Sequence, residues 1–285
     1  MWDDFVERSP QGTIFSTSRW LTLFDKEFWI YGCYKGEELV GGMAFFVDDE
    51  ACCSGGARTP LTPFQGILVC PPRGMKAVNV LSLQTEVAEV LIDSLDEFLE
   101  VEVANHYTFH DVRPFIWEGF NQSVRYTFIV DTRNLIDTWE NMEKDTRNMV
   151  NKAEKTTHVM FPRNIDAFDT LYSKTFNRKG IERPISKEFM NRMIRFIDSH
   201  ICMIYQEDTP LAGAVFIRDS KRAYYILGAS EKTDTGAPYK ALWQSMKLCE
   251  RDEVDLVGCN APAIAHFKKG FGGRLEPYYC VTKTL

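Results

Sequence analysis

The stretch Phe267-Lys268-Lys269-Gly270-Phe271-Gly272-Gly273-Arg274 places three cations around three glycines. Glycine permits tight turns and lets a backbone come close to a ligand. A cation held in such a setting can bind a phosphate or stabilise an anionic intermediate. Over the last 26 residues Lys268, Lys269, Arg274 and Lys283 are opposed only by Glu276, a local net charge of +3. The bland alternative is a glycine-permitted turn with solvated lysines. The stretch is not a P-loop, which needs GxxxxGK[ST] before a helix.

Two further segments carry chemistry-bearing groups. Thr175–Arg183 packs Arg178, Lys179 and Arg183 with Glu182 beside the end of a predicted helix. Arg178 can grip a phosphate bidentately, which lysine cannot copy, although a cationic helix C-terminus is also expected on dipole grounds alone. Ile226–Lys240 runs from a strand through Ser230 and a polar loop into a helix beginning near Pro238. Gly236-Ala237 leaves the first amides of that helix accessible to an anionic or carbonyl oxygen. An ordinary strand–loop–helix joint reads the same way. Trp117 either covers a ligand or seals a joint within the chain. Tyr224 and Tyr225 alternate faces of their strand, so at most one faces a groove.

Several reaction classes lose support. The five histidines include no HExxH pair, and metal catalysis is not expected. There is no GxSxG for a hydrolase nucleophile and no GxGxxG after a strand for a dinucleotide. Cys259 near His266 is a weak nucleophile–base pairing. The eight cysteines form no CxxC and are expected as free, mostly buried thiols in a chain of 285 residues. A formal charge of −7 gives no support to a protein coated by nucleic acid. No run of about 18 apolar residues predicts a membrane span, and the acidic start MWDDFVERS resembles no export signal. The chain is therefore expected in the cytoplasm. The choice between monomer and homodimer stays open.

The elements that must position these groups follow from periodicity. Phe28–Tyr34 and Leu39–Val47 flank a turn and predict a hairpin, with a short strand at Gly66–Val69. Helical spacing runs from about Lys76 to Glu102. His106–Val112 and Tyr126–Val130 are strand candidates. A helix over Leu135–Lys155 gathers Trp139, Met142, Met149, Val150 and Ala153 in one arc and leaves Lys144, Arg147, Lys152 and Lys155 opposite. That basic face is either solvated or laid against RNA or a pyrophosphate. Ile165–Phe176, Ser186–Ser199 and Pro238–Glu250 read as helices. Ile201–Tyr205 with Leu211–Ile217 forms a second hairpin. Val159–Phe161, Arg222–Leu227 and Val254–Val257 read as strands.

The two hairpins resemble each other. Tyr34–Phe46 reads YKGEELVGGMAFF and Tyr205–Ile217 reads YQEDTPLAGAVFI. Each is followed by a further strand and a helix, then by a similar ending: Gly119-Phe120 with Tyr126, and Gly270-Phe271 with Tyr278. Two copies of one mixed α/β unit explain this, as does chance similarity between amphipathic hairpins. Duplication predicts domains at 1–131 and 132–285.

At this point the chain resembles the FemABX-like acyltransferases of the GNAT superfamily, the peptidoglycan bridge-forming enzymes among them. The matching stretches are Phe15–Trp20, Thr146–Lys155, Thr175–Gly180, Tyr225–Ser230 and His266–Gly273, in the expected order over most of the chain. The resemblance implies an α/β fold of two tandem GNAT-like domains, each a central mixed sheet flanked by helices, with a substrate channel at or near their junction. Well-described members move an amino acid from aminoacyl-tRNA to an amine on a cell-wall precursor. By that likeness Lys268 is the cation poised for the oxyanion, Phe267 lines the channel, and Arg178 binds the phosphate of a nucleotide-linked acceptor. Tyr225 and Trp117 join them on the substrate side. The chain departs from the pattern where Trp20–Asp25 lacks a lysine, and no long helical arm interrupts the second half.

The implied chemistry is acyl transfer without a covalent enzyme intermediate. A neutral amine adds to an activated ester or thioester carbonyl, and Lys268 or backbone amides stabilise the resulting oxyanion. Asp111, Glu182, water or the leaving group takes the proton. No cofactor is expected to be tightly bound. The co-substrate is aminoacyl-tRNA, contacted transiently, or acyl-CoA. An acetyl-CoA enzyme of this superfamily uses R/QxxGxG/A, of which Glu231–Ala237 keeps only the final Gly236-Ala237. That favours aminoacyl-tRNA and a cell-envelope acceptor. The alternatives are acyl-CoA-dependent transfer to a sugar or other small amine, with Ser230, Gly236 and Ala237 holding the cofactor, and a non-catalytic binding or structural protein.

Overall fold

The computed structural model describes residues 1–48 and 51–284. The chain begins with α1 (Trp2–Arg8) and α2 (Ser18–Leu21), then β1 (Glu27–Lys35), β2 (Glu38–Asp48), β3 (Ala51–Ser54) and β4 (Leu68–Val69). Next come α3 (Ala77–Asp93), β5 (Glu100–Ala104), α4 (Arg113–Trp117) and β6 (Asn121–Asp131). The second half holds α5 (Leu135–Asn141), α6 (Lys144–Thr156), β7 (His158–Met160), α7 (Asp166–Lys179), α8 (Lys187–Phe196), β8 (Ser199–Gln206), β9 (Thr209–Arg218) and β10 (Ala223–Ser230). It ends with α9 (Ala237–Lys247), β11 (Glu253–Asp255), α10 (Pro262–Lys269) and β12 (Arg274–Thr284). These elements form two compact units, Met1–Tyr126 with Pro277–Leu285, and Thr127–Glu276.

In the first unit β1, β2 and β3 run antiparallel, β5 joins β3 in parallel, and Cys280–Thr284 of β12 closes antiparallel on β5. In the second, β8, β9 and β10 run antiparallel, β11 joins β10 in parallel, and Ile129–Asp131 of β6 closes on β11. Order and sense are the same in both units. The closing strand of the first comes from the end of the chain, and that of the second from the end of the first half.

The duplicated hairpin is also visible in register. The β1–β2 ladder shifts between Cys33 and Tyr34, and the β8–β9 ladder between Ile204 and Tyr205. The tyrosine that opens each repeat thus sits at the same irregularity. Gly42 and Gly213 are aligned in the two repeats, and each lies under an aromatic ring. A Cβ on Gly42 would sit 2.8 Å from the Trp2 ring, and one on Gly213 would sit 2.7 Å from the Phe168 ring. The small residues shared by the repeats leave room for an aromatic side chain from a helix against β2 or β9.

Each unit buries its own core. Val87, Leu91 and Ile92 of α3 meet Phe45, Phe98 and Phe115 in the first. In the second, Leu242 and Met246 of α9 meet Phe216, Leu256 and Phe271. Three expected elements differ. The helix from Lys76 ends at Asp93 rather than near Glu102, because Val101 and Val103 enter a strand that suits β-branched side chains. His106–Val112 is not a strand: the Thr108 amide donates to His106 Nδ1 at 3.2 Å and bends the chain there. The helix expected over Leu135–Lys155 breaks into α5 and α6, with Met142 and Glu143 extended at the break. The Glu143 amide donates instead to the Gly270 carbonyl at 2.9 Å.

Candidate functional site

Asp255 ends β11 as the one acid in the apolar run Val254–Val257. It is completely buried. Its Oδ1 accepts from the Val257 amide at 2.8 Å and from the Thr127 hydroxyl. The first of these is an Asx turn, in which a carboxylate copies a backbone acceptor two residues on. The turn carries Val257 at φ 47° and Gly258 at φ 56°. A β-branched residue at positive φ is a rare, strained conformation that persists only when its surroundings enforce it. Here the strain aims two successive carbonyl groups at one point.

That point is the Lys268 ammonium. Nζ donates to the Gly258 oxygen at 3.0 Å and to the Val257 oxygen, and it lies 5.3 Å from the centroid of the Tyr225 ring. Lys268 sits in the last turn of α10, and its side chain is only 7% exposed. Burial lowers its pKa to about 8, against a smaller upward pull from Asp255 and Cys259. Burial likewise raises Asp255 to about 6, opposed by Thr127, the Val257 amide, Arg222 and Lys268. The Cys259 thiol is pushed up to about 11, again by burial. It is a thiol rather than a thiolate at neutral pH, which removes the basis for a Cys259 nucleophile.

Tyr225 and Phe267 share this neighbourhood. Tyr225 stacks on Phe216 at 5.4 Å, and its hydroxyl occupies the space where Gly228 has no side chain. Phe267 meets Tyr239 edge-on at 4.9 Å and Phe271 at 5.4 Å.

A second grouping joins α7 to the end of β10. Arg178 donates to the Ser230 carbonyl at 3.0 Å and lies 3.7 Å from the Glu231 carboxylate. The Ser230 amide donates to Thr175 Oγ1 at 3.2 Å. Arg178 and Ser230 are thus brought together, with Glu231 as a counter-charge. Gly236 and Ala237 open α9. Gly236 has φ 82°, and a Cβ there would lie 2.1 Å from the Met149 carbonyl oxygen. Ala237 is fully buried. Their small size is used where α9 packs on α6. Gly272 is used in the same way, since a Cβ would lie 2.4 Å from the Asn141 oxygen.

Glu182 is exposed in the segment after α7. Asp111 and Trp117 belong to the first unit. Arg113 clamps Asp111 with bonds of 2.8 and 2.7 Å, and its hydrogen bonds hold that carboxyl below its ordinary pKa. Trp117 is 60% exposed, with the Arg113 guanidinium 5.7 Å from its ring centroid. Among the described residues no group of three or more His, Cys, Asp or Glu is placed to hold a metal, and no helix is long and apolar enough to cross a membrane.

Asp255 and the Val257–Gly258 turn escape the motif-based reading. Their signal is a lone carboxylate inside a predicted apolar strand, a position that burial makes costly unless it is used.

No protein-family profile and no curated protein matches the chain. Solved structures do. FemX is similar at a TM-score of 0.70 and 14% identity, over 98% of this chain and 94% of that one. The C-terminal domain of a putative lysylphosphatidylglycerol synthetase from Agrobacterium fabrum is similar at 0.62 and 9%, over 100% and 93%. A tandem GNAT protein from the clavulanic acid biosynthesis pathway is similar at 0.54 and 10%, over 99% and 93%. At these identities the likeness concerns the fold, and it agrees with the motifs and the repeated sheet. The chain has the FemX-like, tandem-GNAT fold.

Proposed function

We propose that the chain is an acyltransferase. It forms an amide by moving an aminoacyl or acyl group from an activated ester or thioester to an amine. Aminoacyl-tRNA is the favoured donor, contacted briefly through its acceptor end, and a cell-envelope precursor is the favoured acceptor. The observation that carries this reading is the buried Lys268 ammonium, fixed by the Val257 and Gly258 carbonyls in a unit of FemX-like fold.

The neutral amine attacks the carbonyl carbon and a tetrahedral oxyanion forms. Lys268 stabilises that charge with little reorganisation, because its position is set before the substrates arrive. Collapse breaks the bond to the leaving ribose oxygen or thiol sulfur, which takes up the proton the amine loses. Asp111 is a poor base because its hydrogen bonds to Arg113 lower its affinity for a proton. The leaving group itself takes the proton, with Glu182 or water as the alternative acceptors. Bringing two substrates together removes several kcal/mol of the barrier, up to about 7–11 in well-oriented cases. Arg178, beside Ser230, offers its guanidinium to the phosphate of a nucleotide-linked acceptor.

Acyl-CoA is the second reading, resting on the strand–loop–helix joint from β10 through Ser230 and Gly236-Ala237 into α9, although the small size of those last two residues is already used in packing. Binding separates the two. Purified protein is titrated with charged tRNA and, separately, with acetyl-CoA by calorimetry. Saturable binding of charged tRNA is expected, and tight acetyl-CoA binding with no tRNA response would replace the first reading by the second. Binding of neither, with Lys268→Met clearly less stable than the wild type, would favour a non-catalytic protein of the same fold in which Lys268 serves the fold.

A further inference from the structure

Glu102 in β5 and Asp255 in β11 are both buried, and each lies on the strand that runs parallel to the third strand of its unit. Their surroundings differ. Glu102 receives the Ala57 amide at 2.8 Å, the Arg58 amide at 3.2 Å and the Arg125 guanidinium at 3.3 Å. It is fully provided with donors, as a carboxylate kept for structure must be. Asp255 has donors on Oδ1 alone, while among the described residues Oδ2 has no hydrogen-bond partner. A carboxylate of this kind costs the fold free energy unless an opposite charge compensates it. Two cations act on it, Arg222 and the Lys268 ammonium, and the two carbonyl ligands of that ammonium are positioned by Asp255 itself.

We propose that Asp255 is a positioning residue for Lys268. It holds the Val257–Gly258 turn in its strained form, so that both carbonyls meet the ammonium, and its negative charge helps to keep that ammonium protonated in a buried setting. The inference rests on Lys268 acting as the cation of the acyl-transfer site, but the link between the two residues is testable without any substrate. The groups that act on the pair come from three directions. Arg222 immediately precedes β10, Tyr224 lies on it, and Cys259 follows the turn. Lys268 is on α10, where Asp255 and Cys259 are the titratable groups that act on it. Arg222 and Lys268 both favour the ionised form of Asp255.

The test uses full-length protein carrying 13Cε-labelled lysine, with the Lys268 resonance assigned from Lys268→Arg. In Asp255→Asn the amide oxygen still accepts from Thr127 and Val257, so the turn is retained and only the charge is lost. The Lys268 titration midpoint is then expected to fall by about one pH unit or more, as removal of a close opposite charge requires. An unmoved midpoint in folded Asp255→Asn overturns the proposal. If that variant does not fold, Asp255→Ser removes the charge while its hydroxyl can still accept from the Val257 amide. The Lys268 midpoint should then fall in the same direction, and an unmoved midpoint again overturns the proposal. With an active donor and acceptor, Asp255→Asn should lower kcat more than it changes KM, and the alkaline limb should shift with the NMR midpoint. If Lys268→Met proves fully active, the acyl-transfer role of Lys268 fails, while the NMR result still decides whether Asp255 controls its charge.

Discussion

The ammonium of Lys240 donates a 2.8 Å hydrogen bond to the carbonyl oxygen of Thr157, the residue that caps the C-terminus of α6. It also pairs with Glu154 at 2.9 Å, and its side chain is only 2% exposed. A cation at a helix C-terminus satisfies orphan carbonyls and opposes the helix dipole. Lys240→Met removes a charge-assisted bond and leaves the part-buried Thr157 oxygen without that donor. Unfolding in urea should show a loss of about 2–3 kcal/mol. A loss below about 1 kcal/mol would mean that water replaces the ammonium at no cost.

Lys268 is also buried against backbone carbonyls, yet its expected behaviour is the opposite. Its substitution removes an ammonium that burial already disfavours, so the lost hydrogen bonds and the relieved desolvation partly cancel. Lys268→Met should change stability by less than about 2 kcal/mol. It should lower kcat by about 10²–10³, the usual effect of deleting one oxyanion donor. Parallel loss of folding and activity would assign Lys268 to the fold instead.

The pH dependence has a defined sign. The acceptor amine must be neutral, so turnover rises with pH at first. Lys268 has a folded pKa of about 8, below its ordinary value, so turnover falls as pH rises past 8 and the ammonium is lost. Lys268→Arg keeps its charge at every accessible pH, and its profile should lack that alkaline limb. In the unfolding equilibrium, the depressed Lys268 pKa makes a contribution that is fully present above the ordinary lysine value and lost as pH falls through 8. Asp255 has a folded pKa of about 6, raised above its ordinary value. Its contribution is present below about 4, the ordinary aspartate value, and lost as pH rises through 6. The double variant Asp255→Asn, Lys268→Met should therefore flatten the stability curve between about pH 4 and 10. An unchanged curve would show that neither group titrates there.

Much of this was legible in the residues. The paired hairpins could be read because their alternation and turn residues are local, and the register shifts at Tyr34 and Tyr205 show that the likeness reaches the backbone. Lys268 stood out because glycines and cations surround it. The purpose of those glycines was not legible. Gly236 and Gly272 meet the Met149 and Asn141 carbonyls, partners about 90 and 130 positions away in the chain, and no local pattern carries such a contact. The role of Asp255 is hidden for a related reason. Periodicity marks its strand but gives no sign that a single polar position inside it organises a turn. The break between α5 and α6 depends on the Gly270 carbonyl reaching Glu143, again a distant partner. Strand β5 was hidden because the helical spacing of α3 runs on through Leu95 and Leu99 in the sequence.

The glycine contacts themselves can be tested. Gly36 and Gly272 both have positive φ, 65° and 75°, so alanine at either site meets backbone strain. Their surroundings differ: a Cβ on Gly36 would meet nothing within 4 Å, whereas one on Gly272 would lie 2.4 Å from the Asn141 carbonyl oxygen. Backbone atoms cannot swing aside as a flexible side chain can. Gly36→Ala should therefore cost about 1 kcal/mol, the conformational term alone. Gly272→Ala should cost about 2–4 kcal/mol, with overpacking added. Urea unfolding of the two variants beside the wild type measures the difference. Equal losses would show that the segment after Lys268 relaxes away from α5, and that Gly272 serves its φ angle rather than this contact.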